Sequence, residues 1–163
     1  MVRPDAVGGL PPPSLRSARC RHRAQAPSEP RNDRGATSRQ RWNHNIRHHP
    51  LILHALPPNC RTALDVGCGD GILAGELGKV VDRVTGIDLD GPSNEVARRE
   101  AKSDNVEYVV GDFLSYDFNG ATFDAVVSNT ALHHMDAAAA LARMRELLQP
   151  DGVLAIVGWA RSK

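Results

Sequence analysis

Residues 64–71 read LDVGCGDG, and this stretch limits the fold more than any other in the chain. Ala63, Leu64 and Val66 make a short apolar run that ends in a glycine-dense turn, and a helical pattern over 72–79 follows at once. Strand, turn and helix in that order open a βαβ unit. Gly67, Gly69 and Gly71 strip the Cβ atoms from one side of the turn, so the backbone can take positive φ and a ligand can approach the helix amides behind it. The spacing is GxGxG; a dinucleotide fingerprint wants its last glycine where this chain has Ile72. Asp65 precedes the glycines and aims negative charge at the ligand, which repels a pyrophosphate and attracts an ammonium or sulfonium group.

With that charge preference, the stretch resembles the first motif of class I S-adenosylmethionine-dependent methyltransferases, whose ligand carries an α-amine and a sulfonium. The resemblance implies S-adenosyl-L-methionine as cofactor, with Asp65, Gly67, Cys68 and Gly69 among the residues that hold it. Cys68 reads more simply as a small residue in a tight place than as a reactive thiol.

Later strands extend the pattern. Residues 83–87 form a second strand ending in Asp88, Leu89 and Asp90, and the seventeen residues from Gly71 to Asp88 are what a helix and a returning parallel strand consume. A carboxylate there offers two oxygens to vicinal ribose hydroxyls, which makes Asp88 the ribose candidate. Its competing role is to cap the next helix, but Ser93 is the better cap for a helix over 94–102. By resemblance Leu89 lies against one face of the adenine. A third strand, 106–110, ends in Gly111, Asp112 and Phe113; Asp112 is placed to receive the adenine amino group, and Phe113 covers the ring or joins the core. A fourth strand, 123–127, leads to Ser128, Asn129 and Thr130, where doubly wound sheets open their crevice and where the methyl group would be presented. A helix over 135–148 follows, with Leu141, Met144, Leu147 and Leu148 on one stripe. A turn at 149–152 then delivers a fifth strand over 153–157.

The expected fold is therefore α/β: a doubly wound, mainly parallel Rossmann-like sheet of five strands with flanking helices, in the family's order 3-2-1-4-5. The family's sheet continues with an antiparallel hairpin beside the fifth strand. Here the sequence ends at Lys163, so the expected domain, 42–163, is incomplete at its C-terminus. Its fifth strand becomes a bare edge through which copies could self-associate.

Residues 1–41 hold nine Arg, no Lys and three acids, with PPP at 11–13 and little apolar content. This composition predicts disorder. A basic arm, an organelle transit peptide and a stretch without selected structure compete, and the scattered prolines favour the last. From Trp42 the chain reads WNHNIRHHPLILHALPP, two short helices divided by Pro50. His44, His48 and His49 lack a neighbouring carboxylate or thiol, so no metal is assigned to them. In the resembled family a segment here lies over the cofactor and shapes the substrate pocket, with Asn45 or His49 best placed to do so.

Residues 42–163 carry 11 basic and 16 acidic side chains, which disfavours nucleic acid as a partner. No apolar run is long enough for a membrane and no secretory core is visible, so a cytoplasmic protein is expected. Cys20, Cys60 and Cys68 are odd in number and lack metal-ligand spacing, as suits a reducing compartment. Methyl transfer is an in-line displacement that needs orientation, exclusion of water and, for some nucleophiles, a base. His133 and His134 follow the fourth strand where a base would stand, although either could serve the turn instead. No phosphate-binding lysine follows the glycines. After the fourth strand the chain reads Ser128, Asn129, Thr130, Ala131, not the Asn-Pro-Pro-Tyr type of amino-methylating enzymes. The sequence thus favours transfer to an oxygen, nitrogen or carbon nucleophile of a small molecule. A cofactor-binding but inactive remnant is the alternative, and a nicotinamide oxidoreductase is disfavoured by Ile72 and Asp65.

Overall fold

The computed structural model describes residues 44–158, with side chains from residue 46 onward. The expected arm at 1–41, Trp42, Trp159 and the side chain of Asn45 lie outside the described residues. A short 3-10 helix, His44–His48, leads directly into α1, His49–His54, with Pro50 in its first turn, where a missing N–H costs nothing. Five strands follow: β1 (Thr62–Val66), β2 (Arg83–Asp88), β3 (Val106–Val110), β4 (Phe123–Asn129) and β5 (Leu148–Val157). They form one sheet of order β3-β2-β1-β4-β5, parallel at every pairing. This is the doubly wound order expected, with the crevice between β1 and β4 where the winding reverses.

Helices α2 (Ile72–Leu77) and α3 (Gly91–Glu100) connect the first three strands, and α4 (Ala137–Glu146) connects β4 to β5. Strand alternation sorts side chains to the two faces. Ala63, Val84, Ala125 and Val127 pack with Ile52, Leu73 and Leu77 on one side; Leu64, Val66, Ile87 and Val126 pack with Ala140 and Met144 on the other. Asp65 points to the first side, the lone acid among fully buried β1 positions. Register then brings the strand ends level: Val66 pairs with Ile87, and Asp88 with Val110, so the turn after β1 stands beside Asp88 and Gly111.

Three local expectations are corrected. Helix α3 begins at Gly91, and Asp90, not Ser93, is its cap, accepting from the Ser93 N–H at 3.3 Å while the Ser93 hydroxyl also donates to it. Pro92 in the first turn permits the earlier start. Helix α4 is shorter than 135–148: Leu132–His134 is a separate 3-10 turn, and Asp136 caps α4 by accepting from the Ala139 N–H at 3.0 Å. Its buried stripe runs through Ala140, Met144 and Leu147, spaced by four and three residues, which leaves Leu141 40% exposed on the border. Leu148 already pairs with Phe123 as the start of β5, and the Gln149 to Gly152 turn is an irregularity within the strand before Val153 pairs with Ala125. Among the described residues no helix is long and apolar enough to cross a membrane.

Candidate functional site

The glycine turn after β1 is held by backbone bonds: the N–H groups of Gly67 and Cys68 both donate to the Ile87 carbonyl, at 2.8 and 3.1 Å. Gly67 has φ +76°, and a Cβ there would stand 2.1 Å from the Ala131 Cβ. No larger residue lets the loop after β4 approach this closely. Gly69 also has positive φ, +52°, but a Cβ on it would meet nothing within 4 Å. Gly69 therefore borders open space, and its N–H donates to Oδ2 of Asp88 at 2.7 Å. The other oxygen, Oδ1, accepts from the Asp90 N–H at 2.8 Å. Each Asp88 oxygen is oriented by one backbone donor and keeps lone-pair capacity for a ligand.

Above these groups lies a cavity of about 660 Å³ along the carboxyl ends of the strands. Asp88, Leu89, Asp112, Phe113, Asn129 and His134 line it with Gly67 and Gly69. Leu89 is 73% exposed, a large apolar side chain at the cavity wall with no protein covering it. Asp112 also stabilises its own loop, accepting from the Leu114 N–H at 3.0 Å and the Ser115 hydroxyl at 3.2 Å. Phe113 serves both expected ends: it lines the cavity and is buried in the core, edge-on to Phe118 at 6.2 Å. Arg143 of α4 pins this wall, donating from Nε to the Phe113 carbonyl at 2.8 Å and from its terminal nitrogen to the Tyr116 carbonyl.

A smaller cavity of about 90 Å³ lies behind the turn and shares Gly67, Gly69 and Asn129 with the larger one. Asp65, Cys68 and His49 line it. Asp65 is 1% exposed and its Oδ2 has no hydrogen-bond partner. Burial, reinforced by the nearby Asp88 charge, pushes its carboxyl up to about 7. Burial likewise pushes the Cys68 thiol far up, so this sulfur is a packed, inert group, as its tight place suggested. His49 is buried over the turn and bonded through Nδ1 to Oε2 of Glu76 at 2.9 Å. It lines the small cavity with Asp65 and is not among the residues of the larger cavity.

The two histidines after β4 separate. His134 lines the larger cavity; His133 does not, although the ring centroids are 3.8 Å apart. The sequence places Ser128 at the crevice but does not show its contact: it is buried and donates from Oγ to the Val66 carbonyl at 3.0 Å, clamping β4 to β1. Nor does the sequence show the backbone of Thr130, whose φ of +59° turns the chain so that Ala131 seats on Gly67. A β-branched residue gives no local signal for that conformation. Ala131 and Met135 complete this side of the cavity.

With this site in view, comparison with known proteins is direct. The family described as a methyltransferase domain matches residues 64–156, and the chain belongs to it, as a class I S-adenosylmethionine-dependent methyltransferase fold. A protein of Mycobacterium tuberculosis named an uncharacterized methyltransferase is 40% identical over 119 residues, 72% of this chain and 60% of that protein. The structure of S-adenosylmethionine-bound CalS10, an amino pentose methyltransferase from Micromonospora echinaspora, matches with a TM-score of 0.61 at 30% identity, covering 72% of this chain and 50% of that one. A TehB-like S-adenosylmethionine-dependent methyltransferase from Corynebacterium glutamicum matches with a TM-score of 0.58 at 28% identity, covering 69% and 65%. The matched part of this chain thus spans between half and two thirds of each of these relatives.

Proposed function

We propose that this chain binds S-adenosyl-L-methionine along the carboxyl edge of its sheet and transfers the methyl group to a small-molecule oxygen, nitrogen or carbon nucleophile. The observation that carries the reading is the charge of the two joined cavities. Five carboxylates line them, Asp65, Asp88 and Asp112 at strand ends with Asp70 and Asp90 beside them, and among the described residues no lysine or arginine does. A dinucleotide pyrophosphate would face only like charge there, whereas a ligand with an ammonium and a sulfonium is attracted. The buried, unpartnered Oδ2 of Asp65 and the open space at Gly69 fit such a ligand.

Within that frame Asp88 accepts the ribose hydroxyls, Leu89 and Phe113 flank the adenine, and Asp112 accepts from its amino group. Gly67 and Gly69 let the ligand lie against bare backbone. When bound, S-adenosylmethionine supplies a methyl group activated by the positive sulfur. Catalysis by the protein then consists of alignment and exclusion of water, with His134 positioned to take a proton from a hydroxyl or thiol acceptor. Asn129, Thr130 and Met135 border the acceptor side.

Incubating the full chain with methyl-labelled S-adenosylmethionine and a panel of small phenols, amines and activated carbon acids tests the reading. Label recovered in a small product supports it. Cofactor binding without transfer to any acceptor would point to a binding-only protein, and label delivered only to protein or nucleic acid would overturn the substrate class.

A further inference from the structure

The small cavity behind the glycine turn has a roof that the glycine motif does not anticipate. His49 opens α1, is 4% exposed, and binds Glu76 of α2, 27 residues away, through Nδ1 at 2.9 Å. A carboxylate oxygen can only accept, so Nδ1 carries the ring hydrogen, and in the neutral imidazole Nε2 is left as an acceptor. Among the described residues the His49 side chain makes no other hydrogen bond. Glu76 does not line this cavity and His49 does, so the nitrogen that is not bonded to Glu76 is the one left for whatever occupies it.

Directly on the same cavity stands Asp65 Oδ2, buried and without a partner. His49 and Asp65, each with an acceptor that bonds no described residue, thus line a space of about 90 Å³ that joins the larger cavity at Gly67, Gly69 and Asn129. Asp70 is the remaining charged residue of the lining. A primary ammonium, with three donors and a positive charge, suits such a site; a carboxylate or phosphate does not. Burying the Asp65 oxygen unpaired is costly, so a ligand that satisfies it recovers that cost on binding.

We propose that His49, oriented by Glu76, is a cofactor-binding residue: its Nε2 accepts a hydrogen bond from the ammonium at the amino-acid end of S-adenosylmethionine, beside Asp65. Glu76 touches the imidazole and not the ligand, and is a positioning residue. The inference rests on the cofactor reading above, and adds to it a specificity for the amino-acid end that comes from α1.

Calorimetric titration of the full chain with three probes tests it: S-adenosylhomocysteine, its decarboxylated analogue, which keeps the ammonium, and methylthioadenosine, which lacks the amino-acid end. His49→Phe, which keeps the ring volume but has no acceptor, is expected to weaken the first two about tenfold and leave the third within about twofold. His49→Gln, whose amide oxygen can accept, recovers part of the loss, and Glu76→Gln gives an intermediate loss with the same selectivity. Equal weakening of all three probes would mean that His49 only holds the fold, and would overturn the inference while leaving the cofactor reading intact. Weakening of S-adenosylhomocysteine but not of its decarboxylated analogue would assign His49 to the carboxylate and overturn the ammonium contact. A wild-type chain that binds none of the probes overturns the cofactor reading, and this inference falls with it.

Discussion

The two edges of the sheet each carry an aspartate on a central strand, and the two carboxylates are treated in opposite ways. At the amino edge, Asp124 of β4 accepts from the N–H groups of Arg61 and Thr62 at 2.9 and 2.8 Å and from the Thr62 hydroxyl at 3.0 Å. Desolvation is the largest single influence and raises its carboxyl, but those hydrogen bonds and the Arg61 charge together outweigh it and hold the group below its ordinary value. At the carboxyl edge, Asp65 of the neighbouring strand is buried with one oxygen unpartnered, and burial and Asp88 push it up to about 7. The first aspartate is satisfied by the fold it staples together. The second is held in a state that only something from outside the fold can satisfy, and that difference marks the carboxyl edge as the working edge.

Substitutions can break this contrast, and the largest effect belongs to Gly67. In Gly67→Ala the new Cβ collides with Ala131 at 2.1 Å in a backbone of φ +76°. The loop after β4 must lift from the turn, so S-adenosylhomocysteine affinity should fall by more than about a hundredfold, with about 1–3 kcal/mol lost in unfolding free energy. Calorimetry and denaturant titration read both, and an unchanged affinity would show that the close approach of Ala131 is dispensable to the site.

Asp65→Asn sharpens the comparison through pH. The folded-state pKa of Asp65 is raised from 3.8 to about 7, so its contribution to apo stability is fully present below the unfolded value and is lost as pH rises through 7. The variant should therefore melt above the wild type at pH 8 and by a smaller margin at pH 5, while binding S-adenosylhomocysteine more weakly at pH 8. Thermal melts at the two pH values check the sign. A variant less stable than wild type at pH 8 would mean that the Asp65 charge is already compensated inside the protein.

Asp124 should behave as the mirror image. Its pKa is lowered, so its stabilising effect is present above the unfolded value and is lost as pH falls through the folded one. Asp124→Ala leaves the Arg61 and Thr62 donors without their acceptor and should cost about 1–2 kcal/mol at pH 7 in denaturant titration, with ligand affinity retained. The smallest effect is expected on the acceptor side: His133→Ala and His134→Ala should each leave S-adenosylhomocysteine affinity within about twofold, because neither ring holds the chain around the cofactor groups. A larger loss at His134 would move it from the acceptor to the cofactor.

How much of this could be read from the residues follows from how local each signal is. The five parallel strands are buried runs such as ALDV and FDAVV, legible within short stretches, whereas their order comes from the family resemblance that the glycine turn carries. Local reading names Asp88, Asp112, Phe113 and Asn129, and the resemblance adds Leu89; the structure gathers all five around one cavity. What stayed hidden depends on tertiary contact. His49 meets Glu76 across 27 residues of sequence, and nothing in HHPLIL announces that partner. The Ser128 hydroxyl reaches β1, and the positive φ of Thr130 follows from where β5 and the glycine turn hold it: its N–H donates to the Val157 carbonyl at 2.7 Å. Leu141 was misphased because a stripe of Ala140, Met144 and Leu147 is one residue out of step with a stripe that starts at the larger side chain.

The central claim, that the carboxyl edge of this sheet is an S-adenosylmethionine site and not a dinucleotide site, is tested most directly by calorimetric titration of the full chain with S-adenosylhomocysteine, beside Asp88→Ala and with NAD as the comparison ligand. The account predicts micromolar binding of S-adenosylhomocysteine, at least about tenfold weaker binding in the variant and none of NAD. Binding of NAD, or S-adenosylhomocysteine affinity indifferent to Asp88, would contradict it.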